Sequence, residues 1–326
     1  MDLEKACDTI DRNGMWQMLR VYGVGAKLLR AVQSFYIHSN GCIRVGNNVS
    51  VWFPVNVGLR QGCVMSPWLF KVNIDGVVRE VNVRVLGRGL DLLNVNGGMF
   101  EIKQLLSADD AGLVADLEEK LCRLVSEFRR VYDRRKLRVN VGKSKVMRCS
   151  RYGNGSRMLV ILNGKPLEEA DCFKYLGSQV AADGECERDV VYRMNEGYRA
   201  WGALKSVPSY RGLGIMAKKC LYEGVIVPSA SYGAEAWGMR SADKRKVIVL
   251  EMKCFGSLVG VSRMDRVRKE EVRRRAGIER ELASITDQRV LIWFGHVERM
   301  DEYRLSRRVL MVEESGGRVR GRPRLG

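Results

Sequence analysis

The sequence predicts an α+β chain, in which hairpins alternate with amphipathic helices up to about residue 180 and basic helical segments follow from about residue 185. Three observations carry this. Apolar residues recur at helical spacing in some stretches and in short runs beside turn residues in others. Hydrophobic residues make up 46% and charged residues 29% of the 326, the balance of a folded chain rather than a disordered one. The net charge is +18, and residues 240–326 hold 22 Lys and Arg against 13 Asp and Glu.

Taken in order, an acidic loop at 2–8 leads into helices. Within 26–36, Leu28, Leu29, Val32, Phe35 and Tyr36 fall on one helical face. Residues 42–45 and 49–53, joined through Gly46-Asn47-Asn48, read as a hairpin. Residues 66–81 read as a helix with Pro67 in its first turn, where the missing N–H has no partner to lose. Residues 99–106 and 111–114 are the arms of a second hairpin, with Asp109 and Asp110 at its tip. Residues 117–132 are a strongly amphipathic helix with Leu117, Leu121, Leu124, Val125, Phe128 and Tyr132 on one face. A strand at 137–141 follows, then one at 158–162 whose Asn163-Gly164 turn leads back through 172–176. The small polar run at 181–184 marks a boundary. Domains are therefore expected at 1–180 and 185–315, with a flexible basic tail at 316–326.

The charge favours a polyanionic partner, because each neutralised phosphate releases counterions. No apolar run approaches the ~20 residues that cross a bilayer, so no membrane association is expected. The N-terminus lacks the basic-then-apolar order of a secretory signal. An intracellular protein of cytoplasm and nucleus, not a secreted one, is expected. Nine cysteines stand singly, without C-x-x-C spacing, and the histidines are only His38 and His296. Zinc therefore lacks ligands, and the thiols are expected to be reduced and mostly in cores. Arg273-Arg274-Arg275 and Arg307-Arg308 read either as phosphate-tracking clusters or as solvated helix faces, and Trp293-Phe294 as part of a small helical core.

The chemistry concentrates in three motifs: DLEKACD at 2–8, GLRQGCVMSPWLF at 58–70 and SADD at 107–110. Carboxylates brought together from distant segments can hold two divalent cations, which clamp both ends of an in-line phosphoryl displacement. With KLRVNVGKSKVM at 136–147 and FKYLG at 173–177, the series resembles the palm motifs of reverse transcriptases from non-LTR (LINE-type) retrotransposons. VPSASYGAEAW, WFGHVERM and GRVRGRPRLG resemble the region that follows the polymerase in such elements. The Gly142-Lys143-Ser144 triplet is not a Walker loop, since the glycine needed five positions earlier is Leu137.

The resemblance implies a right-hand palm with an antiparallel sheet and covering helices over 1–180, followed by a helical thumb and basic extension. It implies RNA-directed DNA synthesis from dNTPs on an RNA template and a DNA primer or target, with Mg²⁺ or Mn²⁺. Asp2 and Asp109 look like the main metal ligands with Asp110 alongside. Arg60, Gln61 and Gly62 correspond to the incoming-nucleotide loop, Lys143 or Lys145 to the group near the departing pyrophosphate, and Tyr175-Leu176-Gly177 to the primer-gripping hairpin. Cys7 stands where the family carries the aromatic that excludes ribonucleotides, so weakened sugar discrimination is expected. Ser107 replaces the aromatic before Ala-Asp-Asp. Arg320 and Arg322, in Arg320-Gly321-Arg322-Pro323, resemble an AT-hook that enters the narrow A·T minor groove.

With Asp2 beside the first residue and no fingers or endonuclease segment, the chain is expected to be a truncated product of its element. A catalytically inactive nucleic-acid-binding remnant is the alternative. The sequence leaves the oligomeric state open.

Overall fold

The computed structural model describes residues 1–85, 87, 89–93, 99–149, 158–204, 213–278 and 280–312. Arg320 and Arg322 lie outside the described residues. The chain divides into two compact units, Met1–Val146 with Ser156–Glu169 and Met147–Gly155 with Ala170–Gly326.

The first unit packs four principal helices, Arg12–Val21, Ala26–Ser34, Ser66–Arg84 and Glu118–Arg134, over short strands. Local signals set their ends. Asp11 caps the first helix by accepting from the Gly14 N–H (3.1 Å). Pro67 sits in the first turn of the third. Glu118 and Glu119 open the fourth and Arg134 closes it, each charge complementing the helix dipole. The core they enclose includes Met15, Leu19, Ile74, Val77, Leu124, Phe128 and Tyr132.

The described strands form eight two-stranded ladders, seven antiparallel and one, Lys145–Val146 with Glu168–Glu169, parallel. Where one antiparallel sheet was expected there are small ladders, and the aspartates lie on two of them. Strand Gln104–Ser107 pairs with Asp110–Leu113 across the two-residue turn Ala108-Asp109. Strand Asp2–Leu3 pairs with Val139–Asn140, Asp2 opposite Asn140.

Several expectations need correction. The arm read as 99–106 breaks at Lys103: Met99–Ile102 pairs with Leu90–Leu93 and Gln104–Ser107 with Asp110–Leu113, each half serving its own partner. The Asn163-Gly164 turn returns at once through Lys165–Pro166, because both residues adopt positive φ (54° and 74°) and close the tightest kind of hairpin. Cys172–Tyr175 pairs with Ser178–Ala181 instead. The outer hairpin of 40–54 pairs Asn40–Gly41 with Phe53–Pro54, and only Arg44–Val45 and Asn48–Val49 pair nearer the turn. Leu28 and Phe35 are exposed while Leu29 and Tyr36 are buried, so the apolar face is narrower than the spacing implied. Leu117 is exposed, lying before the helix as its cap. Among the cysteines only Cys254 is fully buried, and all nine are free thiols.

The second unit is helical after the hairpin 172–181. Helices Glu187–Leu204, Ser241–Val259, Lys269–Ala276 and Leu282–Glu298 enclose Val190, Trp201, Tyr222, Leu250, Phe255 and Leu282. Its interior also holds a buried carboxylate. Glu251 is 1% exposed; it accepts from the Leu282 N–H (2.6 Å) and from Arg273 (2.7 Å), tying three helices together. Of the arginine cluster at 273–275, Arg273 is thereby committed to the interior, while Arg274 and Arg275 are exposed and pair with Glu271 on the solvated face of their helix. Arg307 pairs with Glu298. Trp293 and Phe294, expected in a core, are exposed at 42% and 50%; the helix that carries them buries Leu282, Ala283, Thr286 and Val297 instead. Among the described residues no helix is long and apolar enough to cross a membrane.

Candidate active site

The site is built by one reciprocal backbone pair. The Met1 nitrogen donates to the Ala111 carbonyl (2.6 Å), and the Ala111 N–H donates to the Met1 carbonyl (3.0 Å). This pair joins the strand Asp2–Leu3 to the strand Asp110–Leu113. In an antiparallel ladder the next pair along is a non-hydrogen-bonded one, with both side chains on the same face and Cβ atoms about 4.5–5.5 Å apart. Continued by one residue, the register of Met1 and Ala111 places Asp2 beside Asp110. The alternation that makes Ala111 a buried core residue (3% exposed) turns its neighbour Asp110 outward.

The electrostatics agree with this register. Burial and the charges of Asp109 and Asp2 push the Asp110 carboxyl above its ordinary value, and the N-terminal ammonium and Lys143 oppose them. Asp2 Oδ2 is buried and has no hydrogen-bond partner among the described residues; its nearest cation is Lys143 Nζ at 3.9 Å. Asp109 occupies the turn and is exposed, after Ala108, whose φ of 51° suits the first central position of a tight hairpin turn. Asp2 and Asp110 thus lie near one another on paired strands, and Asp109 lies on the adjoining turn with its charge also acting on Asp110.

The second motif packs on the first. Gly58 donates to the Ile10 carbonyl (2.9 Å) and Leu59 to the Cys7 carbonyl (2.8 Å). Gly58 has φ +77°, and a Cβ there would stand 2.5 Å from the Asp8 carbonyl oxygen, so only glycine permits this approach. Arg12 secures the same loop by donating to the carbonyls of Gly58 (2.9 Å), Val57 (3.1 Å) and Val55 (2.8 Å). Gln61 donates to Asp8 (3.1 Å) and Arg60 to Ser39 Oγ (3.1 Å). Gly62, with φ +79°, has open space where a Cβ would go. Cys7 is exposed as a residue, and its thiol is pushed up by partial burial and by the charges of Asp109 and Asp8.

The two candidate lysines separate. Lys145 is bound to Glu168 (2.8 Å). Lys143 approaches Asp2 from the turn after strand Val139–Asn140, which is closed by Lys143 N–H donating to Asn140 Oδ1 (3.1 Å). Between them the buried Ser144 accepts from the Asp2 N–H (3.2 Å). Ser144, Gly58 and Arg12 are positioning residues absent from the sequence reading. The first two lay inside quoted motifs, but nothing local to Arg12 signals its contacts with residues 43 or more positions away.

A model of the reverse transcriptase (RNA-dependent DNA polymerase) family matches residues 1–180. The chain belongs to this family. Two relatives agree with that membership. A transposon-derived protein of Caenorhabditis elegans is 26% identical over 233 residues, covering 68% of this chain and 79% of the relative. A retrovirus-related Pol polyprotein from the type-1 retrotransposable element R2 of Popillia japonica is 23% identical over 206 residues, covering 61% of this chain and 33% of the relative. The chain is thus similar to non-LTR retrotransposon products, and it spans about a third of the length of the second of these relatives. Its matched region reaches past the first compact unit to include the hairpin 172–181.

Reverse transcriptases as a family work with divalent metal ions, and the carboxylates here suit one chemically. They are hard oxygen donors, one carries an orphaned buried oxygen, and their mutual repulsion is only partly offset by the N-terminal ammonium and Lys143. Among the described residues, however, no three His, Cys, Asp or Glu side chains already stand close enough to hold a metal ion together. Asp109 would have to turn inward to join the other two.

Proposed function

We propose that this reverse transcriptase chain performs template-directed nucleotidyl transfer, adding dNTPs to a primer 3′-hydroxyl on an RNA template. The observation that carries the reading is the reciprocal backbone pair of Met1 and Ala111, whose register continued by one residue sets Asp2 beside Asp110. Asp2 and Asp110, with Asp109 turned in from the hairpin tip, would hold Mg²⁺ or Mn²⁺. The bound cations supply charge stabilisation to the triphosphate and lower the pKa of the primer hydroxyl. Lys143, which has no tight ion pair to break, is the group for the departing pyrophosphate; Lys145 is engaged with Glu168. Arg60, Gln61 and Gly62 line the nucleotide side, where the open space at Gly62 admits a ligand against the backbone. Cys7 takes the sugar-facing position and Tyr175-Leu176-Gly177 the primer-gripping hairpin. Residues 1–180 are read as the palm and 185–315 as the thumb and basic extension.

Primer extension on a primed RNA with Mg²⁺ and dNTPs tests this. Wild-type chain should extend the primer, and Asp2→Asn and Asp110→Asn should each abolish extension. Extension that survives both substitutions would remove the assignment. The absence of three converged ligands among the described residues favours one second reading, a nucleic-acid binder without catalysis. Salt-dependent binding of the primed template without extension would select it.

A further inference from the structure

The hairpin 172–181 is held by a clamp formed by Arg193 and by Tyr232 of the VPSASYGAEAW stretch. Its turn residues, Leu176 and Gly177, both have positive φ (48° and 89°), the conformation of the tightest two-residue hairpins. For leucine this is an uncommon backbone, and it persists only where surroundings enforce it. Both turn carbonyls are in fact taken. The Tyr232 hydroxyl donates to the Leu176 carbonyl (3.0 Å), and Arg193 Nη2 donates to the Gly177 carbonyl.

The two donors also brace each other. The Arg193 guanidinium lies 4.3 Å from the Tyr232 ring centroid and 5.2 Å from that of Tyr192. A Cβ at Gly177 would come within 3.1 Å of the Tyr232 ring and 3.2 Å of Arg193, so the clamp presses directly on the turn. One helical turn earlier than Arg193, buried Asp189 accepts from the Gln179 N–H (2.8 Å) and the Trp237 indole (2.8 Å), fixing the outgoing strand to the same helix. Nε of Arg193 has no acceptor among the described residues, although the side chain is 9% exposed. Among the described residues no carboxylate pairs with Arg193; burying a cation so is costly, and here its work is to hold a backbone carbonyl.

We propose that Arg193 and Tyr232 are positioning residues that fix the turn at Leu176-Gly177 in the conformation that receives the primer. This rests on reading Tyr175-Leu176-Gly177 as the primer-gripping hairpin. The experiment combines two measurements on the full chain and on Tyr232→Phe and Arg193→Lys. Amide exchange at residues 178–180 is followed without substrate, and steady-state extension of a primed RNA is followed with it. Tyr232→Phe keeps the ring and removes only the hydroxyl, so it remains informative where the buried Arg193→Lys fails to fold.

The expected result is faster exchange in the hairpin and a KM for primer–template raised about three- to tenfold, the worth of one hydrogen bond. The kcat and the KM for dNTP should change little. Unchanged exchange in folded variants would overturn the clamp. Faster exchange with an unchanged primer–template KM would overturn its positioning role. Failure of wild-type chain to bind primed RNA would instead sink the primer reading, while the exchange data still decided the clamp.

Discussion

Replacing Asp110 by asparagine should make the metal-free chain more stable at neutral pH while destroying its response to divalent cations. The reasoning starts from the register. Asp110 faces Asp2 on one side of the ladder and adjoins Asp109, and these charges together with burial hold its carboxyl above the ordinary 3.8. For a group whose folded pKa is raised, the favourable contribution is fully present below the unfolded value and is lost as pH rises through the folded one. The metal-free protein should therefore lose stability as the solution moves from about pH 4 toward neutrality. Like charges directly opposite on antiparallel strands destabilise by roughly 0.2–1 kcal/mol. Asp110 is partly exposed, so screening brings the expected gain for Asp110→Asn to the lower half of that range. The two chains should converge at low pH, where the aspartate is already neutral. A cation that binds only the folded form at ten times its Kd adds about 1.4 kcal/mol to the wild type, and should add far less to the variant. Calorimetry across pH, with and without MgCl₂, measures both differences. An asparagine variant that is less stable than wild type at neutral pH, or one that gains as much from Mg²⁺, would show that the carboxylates do not share a site.

Four further outcomes follow from single contacts. Cys7→Tyr should raise the preference for dNTP over rNTP in primer extension, since a ring would fill space that the exposed thiol leaves open; equal selectivity in both chains would count against the placement of Cys7. Lys143→Ala should lower kcat while Lys145→Ala leaves it near wild type, because only Lys143 approaches Asp2; single-turnover extension separates them. Gly58→Ala should destabilise by more than about 1–3 kcal/mol in urea unfolding, given a positive φ and a Cβ 2.5 Å from the Asp8 carbonyl. Glu251→Ala should destabilise the second unit by about 1–3 kcal/mol, because it leaves the buried Leu282 N–H without its acceptor and Arg273 with Glu281 alone; a melting temperature unchanged from wild type would contradict the staple.

How much of this was legible in the sequence depended on the range of the interaction. The helix Glu118–Arg134 follows from apolar spacing and end charges that lie within it, and Ser66–Arg84 from Pro67 and the run behind it. Both are local statements, and both elements appear within a few residues of the expected bounds. The exposure of Leu117, Leu28, Trp293 and Phe294 was not legible, because periodicity marks an apolar side chain without saying which neighbour arrives to cover it. The strand partners were misread for the same reason. A run such as 99–106 carries no mark of the residue where it changes partner, and only the register reveals the break at Lys103.

The candidate site divides along the same line. Motif identity pointed to Asp2, Asp109 and Asp110 as a group but could not order them, since a doublet at a hairpin tip places one residue on the turn and the other on the strand. That order is set by the two-residue turn Ala108-Asp109, which makes Asp110 the first paired residue and directs its neighbour Ala111 to Met1. Shifting this register by one residue would send Asp110 to the other face of its strand and bring Ala111 opposite Asp2. The turn is therefore as much a part of the site as the carboxylates it presents. A one-residue insertion between Ala108 and Asp109 should abolish any cation-dependent stabilisation while leaving all three aspartates in the chain.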